Sequence, residues 1–327
     1  MAESKFCYKA LVTTGEYRIT VRLSATLSRA TERWSRLSGN IRGILWISVG
    51  TVLFALTDVV VKTLGRTFHP FELGLFRYAI GFLMLVPVFI RMGPSQLKTK
   101  RIGLHLTRLV MATIAQLGIF VSIINMKLAD ATAIMFSKPL FTTVVAVFIL
   151  SELVAARRWA ATAIGFLGVI IMMRPGSGAI DPVALIAVAA ALTFAVANIL
   201  IRLMSTTEPP SRILFYYHIG GMAILIGPAL WVWRMPAGIE WGLLALIGIL
   251  TTLAMICFVR AYSVGEANAV GPIEYIRLIY AGLLGYFIFS ETLDMWTLLG
   301  GTIIVGSTLF IARDEARRAG GQSGPAG

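Results

Sequence analysis

The sequence predicts an all-α polytopic membrane protein: ten transmembrane helices arranged as two inverted five-helix repeats. Three observations predict it. The 327 residues are 57% hydrophobic and 14% charged, with a mean hydropathy of +0.81, whereas a soluble chain carries roughly 25% charged residues. Ten stretches reach the length of roughly 20 mostly apolar residues that a bilayer crossing needs. Segments of the first half also recur in the second, about 140 residues later.

The first forty residues are Arg-rich and hold no apolar core of signal-peptide length, so no cleaved signal is read. Leu23, Leu27, Ala30, Trp34 and Leu37 recur at spacings of three and four among Arg22, Arg29, Arg33 and Arg36. That pattern suits an amphipathic helix on an anionic membrane face, with a solvated basic tail as the alternative. The ten spans follow at 43–64, 71–90, 104–125, 130–150, 157–174, 182–203, 211–233, 240–262, 267–289 and 294–312. The expected divisions are a cytoplasmic tail 1–42, a first repeat 43–174, a second repeat 182–312 and a cytoplasmic tail 313–327. The polar, Gly-rich stretch after Arg313 reads as disordered.

Lys and Arg set the orientation. With the N-terminus inside, the inner segments hold 20 of these residues and the outer segments hold 5. Both termini are therefore expected in the cytoplasm. Arg77, Arg108, Lys138 and Arg277 fall within spans. The net charge of +13 lies mainly in short segments between apolar runs, as topology requires, so no nucleic-acid partner is read. Two cysteines and three histidines exclude a disulfide framework or a Cys/His zinc cage.

The internal copy is visible in three places. Phe54–Lys62 (FALTDVVVK) sets beside Phe194–Arg202 (FAVANILIR), aligning Asp58 with Asn198. Leu128–Ile134 (LADATAI) sets beside Val264–Val270 (VGEANAV), and Phe148–Leu153 (FILSEL) beside Phe287–Thr292 (FIFSET). Five spans is an odd number, so the second copy must be inverted relative to the first. Inverted repeats with a site at their interface are the architecture of secondary transporters.

These segments carry a resemblance. Together with Leu75–Tyr78 (LFRY), Leu128–Phe141 and Pro272–Tyr275 (PIEY), they resemble the ten-helix, EamA-type branch of the drug/metabolite transporter superfamily, over about residues 43–312. The resemblance implies a transporter in the bacterial inner (plasma) membrane. It leaves open the solute, since similar proteins move amino acids, nucleosides, S-adenosylmethionine, sugars or drugs. It also implies that Arg77 matches the family's arginine in the second span, and that Ser151-Glu152 and Ser290-Glu291 belong to the repeat motif.

Charges inside a span are costly and face protein or a water-filled cavity. Asp58 either binds a proton or a cationic solute group, or pairs with Lys62 at i,i+4. Arg77 either holds a carboxylate or phosphate, or pairs with Glu72 or snorkels. Arg108, near an inner edge, reads as snorkelling. Lys138 lies on the order of 12 Å deep, with the helix-bending Pro139 beside it. In Val270–Glu291, Gly271-Pro272 breaks the ninth span just before Glu274 and Arg277, which share a face. Breaks at matching places in two repeats are the best sequence pointer to a transport site. A Lys138–Glu274 salt bridge is the structural alternative.

Tyr216, Tyr217 and His218 form a polar-aromatic cluster in the seventh span, as interface anchors or solute contacts. Glu152 and Glu291 sit in turns where a carboxylate caps the next helix. Ala161/Gly165 and Thr302/Gly306 give close-packing faces, within the chain or in a homodimer. The expected substrate-binding set is Asp58, Arg77, Lys138, Tyr217, Glu274, Tyr275 and Arg277, with no catalytic residue, cofactor or metal. The functional expectation is secondary transport of a small polar metabolite: an amino acid, S-adenosylmethionine or a similar zwitterion or carboxylate. No G-x-x-x-x-G-K-[ST] motif is present, so coupling is expected to a proton, to a counter-substrate or to nothing. Partners are the solute and membrane lipids. The alternatives are a lipid-modifying membrane enzyme, for which His69, His105 and His218 assemble no site, and a structural membrane protein, which needs no buried charges beside helix breaks.

Overall fold

A computed structural model describes residues 37–151, 154–173, 181–205 and 207–321, with the side chains of residues 94, 95, 267, 268 and 315–321 left aside. Among the described residues the chain is helical and holds ten helical segments long and apolar enough to cross a membrane. They are Gly39–Leu64, Pro70–Met92, Ile102–Asn125, Leu128–Leu150, Ala156–Met173, Pro182–Met204, Pro210–Trp231, Glu240–Val264, Gly271–Phe289 and Met295–Asp314. We refer to them as the first to tenth spans. The amphipathic reading of residues 23–37 and the capping role of Glu152 lie outside the described residues, apart from Leu37.

Helix starts follow local chemistry. The Ser38 hydroxyl accepts from the Ile41 N–H at 3.4 Å. His69 and Glu72 form a reciprocal cap on the second span, and Asp181 accepts from the Val183 N–H at 2.9 Å. These side chains satisfy donors that a helix start leaves without partners. Proline occupies the first turn at Pro70, Pro182 and Pro210, where its missing N–H costs nothing.

The tenth helix does not stop at residue 312. It continues to Gly321, so the reading of disorder after Arg313 fails for residues 314–321. The run Ala312–Ala319 consists largely of good helix formers. Asp314 also ties it to the fifth span through Arg157 at 2.7 Å.

Packing comes in exchanged pairs. The first span lies on the eighth and the third on the sixth; the ninth lies on the first, and the fourth on the sixth. The second span packs on the seventh and the fifth on the tenth. Small residues allow the close approaches. A Cβ on Gly50 would meet the Phe258 ring at 2.7 Å, and one on Gly118 would meet Ala190 at 2.8 Å. Between the fifth and tenth spans, Gly168 and Gly300 face each other's carbonyl oxygens, at 2.9 and 2.6 Å from a built Cβ. This close packing is intramolecular. Gly306, by contrast, has open space around it.

Two backbone details recur at matching places. Pro87 lies late in the second span and Pro228 late in the seventh. Ser151 and Ser290 close the fourth and ninth spans with φ of +53° and +57°, the two positive-φ non-glycine residues among those described. The left-handed conformation is unfavourable for an L-residue and is usually reserved for glycine or asparagine.

Candidate functional site

The fourth and ninth spans are interrupted. In the fourth, the helix Leu128–Met135 ends and Lys138–Leu150 begins after Phe136-Ser137. Proline at 139 has no N–H to continue the ladder, so the first segment closes by tighter bonds, Ser137 N–H to the Ile134 carbonyl among them. In the ninth, Gly271–Tyr275 is a 3₁₀ turn that hands over to the helix Ile276–Phe289. Irregular backbone at membrane depth is tolerated where it is buried in protein or lines a cavity.

Both breaks border a central chamber of about 380 Å3. Its walls come from the first to fourth and the sixth to ninth spans. Its size falls in the range of roughly 300–1,000 Å3 typical of small-molecule sites. Asp58, Arg77, Lys138, Tyr217, Glu274 and Arg277 all line it. Tyr275 stands apart: its ring packs on Phe136 at 4.9 Å between centroids, and it borders a different groove. That groove is larger, about 1080 Å3, but its wall is mostly apolar, chiefly side chains of the ninth and tenth spans, several of them exposed. It offers no charged group with which to select a polar solute.

Asp58 pairs not with Lys62 but with Arg277. The Arg277 Nη2 and Nε donate to one Asp58 oxygen at 2.6 and 3.2 Å. Lys62 instead pairs with Glu291 and donates to the Met126 carbonyl at 2.6 Å. Asp58 and Lys62 share one helix face, yet each has a better-placed partner on the ninth span or the turn after it. Glu291 caps the fourth span rather than the tenth, accepting from the Leu128 N–H at 2.8 Å. The turn that holds it folds back over the start of that span, and Lys127 reaches Asp294 at 3.2 Å beside it.

Lys138 and Glu274 border the same space, but they form no salt bridge with each other. The Lys138 ammonium lies 4.7 Å from the centre of the Phe194 ring, whose electron-rich face attracts it. Glu72 does not reach Arg77 either; its carboxylate is taken by the His69 and Arg234 backbone N–H groups.

Arg77 donates to the Tyr217 hydroxyl at 3.0 Å. Arg108 overturns its snorkelling reading: it is buried, lines the chamber, and its guanidinium lies 4.4 Å from the centre of the Tyr217 ring. The stem turns inward because Arg108, Ala112 and Gln116 form one stripe of the third span facing the chamber. That i, i+4, i+8 stripe was the sequence signal that depth alone obscured. Asn198, the counterpart of Asp58, also lines the chamber, as do Thr57 and Thr251. Tyr216 is anchored away from it, donating to the Leu97 carbonyl at 3.0 Å. His218 is buried against Tyr78, its Nδ1 2.9 Å from the Leu214 carbonyl.

Comparison with known proteins identifies the family. The EamA-like transporter family matches residues 41–174 and again 182–313. The S-adenosylmethionine uptake transporter of Rickettsia prowazekii is 31% identical over 277 residues, covering 85% of this chain and 94% of its own. The riboflavin transporter of Vibrio cholerae is 29% identical, covering 85% and 95%. The pseudopaline exporter CntI of Pseudomonas aeruginosa is 27% identical, covering 84% and 96%. A solved crystal structure shares the fold with a TM-score of 0.60 at 17% identity, over 85% of this chain and 98% of its own. The chain is an integral membrane protein and belongs to the EamA-like transporter family.

Proposed function

We propose that this transporter moves a small zwitterionic or carboxylate-bearing metabolite through the central chamber, with S-adenosylmethionine as the leading solute. The observation that carries the reading is the charge of the chamber. Arg77, Arg108, Lys138 and Arg277 face it against Asp58 and Glu274, and Arg277 and Asp58 neutralise each other. The surplus favours a solute with a carboxylate. Glu274, which has no ion-pair partner among the described residues, suits a cationic group on the same solute. The S-adenosylmethionine transporters are similar to this chain, and that solute carries both a carboxylate and cationic centres.

The mechanism we infer is alternating access between two inverted repeats, residues 43–174 and 182–312. The exchanged packing pairs, the two helix breaks and the two left-handed serines support it. Towards Lys62 the chamber is closed. Val61, Phe120, Leu128 and Ala281 form a buried apolar layer, and the Lys62–Glu291 pair lies beyond it. Towards the other side the lining runs to Ile201 and to Val259, which is 69% exposed. With the charge bias setting both termini on the inside of a bacterial inner membrane, we read this as the chamber's cytoplasmic end. A proton or a counter-substrate would supply the driving force.

Reconstitution tests the reading. Proteoliposomes holding the full chain should show saturable entry of at least one member of a labelled panel of S-adenosylmethionine, lysine and leucine. No entry above empty liposomes for any member would refute it.

A further inference from the structure

We propose that Arg108, with Arg77 and Tyr217, forms the subsite that holds the solute's carboxylate, and that Tyr217 positions both guanidinium groups. This rests on the transport reading above and names the pole of the chamber that reads the anion.

The argument starts from a donor left without a partner. Arg108 is 6% exposed, and its Nε is buried with no hydrogen-bond partner among the described residues. Leaving a buried donor unsatisfied is expensive, and more so on a charged group. A native protein tolerates it where something else supplies the acceptor. Among the described residues neither Arg108 nor Arg77 pairs with a carboxylate of the chain. Arg77 spends one nitrogen on the Tyr217 hydroxyl at 3.0 Å. Arg108 lies against the face of the same ring at 4.4 Å. One aromatic side chain therefore fixes two guanidiniums, one at its edge and one on its face.

Tyr217 is itself held. Its ring meets Tyr78 edge-to-face at 5.0 Å between centroids, and Tyr78 Oη lies 3.5 Å from the Thr113 hydroxyl. Tyr78 is fully buried, so this support cannot swing. Two planar, always-charged forks on a rigid mount suit a carboxylate, which accepts through two oxygens. The first and ninth spans carry the Asp58–Arg277 pair and Glu274 where they border the chamber. A zwitterion would thus lie across the chamber, carboxylate on the second, third and seventh spans and cation towards the ninth.

The test uses the full chain in proteoliposomes. Uptake of labelled S-adenosylmethionine, lysine and leucine is competed by each compound and by its decarboxylated counterpart. In the wild type the carboxylate-bearing form should compete about 10- to 100-fold better, the scale of a charge-assisted hydrogen bond. Arg108→Gln should bring the two forms within about threefold of each other. Arg108→Lys, which keeps the charge and loses the fork, serves if the glutamine variant does not remain monodisperse, and should lose most of the discrimination. Tyr217→Phe should lose part of it. Full discrimination in the folded Arg108 variant would overturn the subsite while leaving transport intact. So would a wild type that moves both forms equally, or one inhibited by excess inorganic phosphate as strongly as by the carboxylates. A wild type that moves no member of the panel would refute the transport reading, and the subsite with it.

Discussion

Arg277 on the ninth span grips a single oxygen of Asp58 on the first span with two nitrogens, at 2.6 and 3.2 Å. The pair joins residues 219 positions apart in sequence. It ties the broken ninth span to the first at the wall of the chamber. Removing one partner of a buried pair leaves an uncompensated charge and costs about 3–5 kcal/mol, while removing both costs far less. Asp58→Asn and Arg277→Gln should therefore each lower thermal stability in detergent clearly, and the double variant should recover most of the loss. Equal additive losses would show that the pair is not coupled.

A second prediction concerns the closed side. Glu291 joins Lys62 and the Leu128 N–H, one turn beyond Asp58. Glu291→Gln keeps an acceptor for Leu128 but loses the ion pair, a difference of about 1.5–3 kcal/mol. A cysteine at Thr57, in a Cys7→Ser, Cys257→Ser background, should then react several-fold faster with a membrane-impermeant thiol reagent applied from the Lys62 side. An unchanged rate would mean that this contact does not hold the closed state.

The fifth and tenth spans supply a third. A Cβ at Gly168 would press on the Gly300 carbonyl oxygen at 2.9 Å, whereas one at Gly306 meets nothing within 4 Å. Gly168→Leu should cost about 1–3 kcal/mol or more through overpacking, and Gly306→Ala should cost nothing and gain up to about 1 kcal/mol from helix propensity. Thermal denaturation in the same detergent compares the two.

The turn between the sixth and seventh spans should respond to acid. Burial by itself would raise the Glu208 carboxyl, but the Thr99 hydroxyl and Arg212 guanidinium, each donating at 2.7 Å, together hold it below the usual glutamate range. A carboxyl lowered in the folded state stabilises fully above its unfolded value. That contribution fades as pH falls through the lower, folded value. The wild type should lose stability there faster than Glu208→Gln, which has no such group to protonate. Parallel acid profiles for the two proteins would rule the contribution out.

Much of this architecture was legible in the residues. The apolar runs gave all ten spans, because lipid demands a continuous helix of fixed length. Proline and glycine marked the breaks at Lys138-Pro139 and Gly271-Pro272. The partners were not legible. Asp58 has Lys62 one turn away and Arg277 on another helix, and spacing along one helix cannot rank them. Depth from the helix end points Arg108 to the headgroups, whereas the stripe it forms with Ala112 and Gln116 sets its direction. Nearness in sequence points Glu291 to the tenth span, whereas the turn lays it over a helix start more than 160 residues away. Tyr275 follows Glu274 in the chain, but the 3₁₀ turn sends it against Phe136 instead.

The central claim is that solute crosses through the chamber between the repeats. Counterflow measures it directly: proteoliposomes preloaded with unlabelled S-adenosylmethionine are given a trace of the labelled compound. Ala197 is 4% exposed and lines the chamber, so Ala197→Trp would fill that space. The wild type should accumulate label transiently, and the monodisperse Ala197→Trp protein should not. Accumulation that persists with the chamber filled would contradict the account.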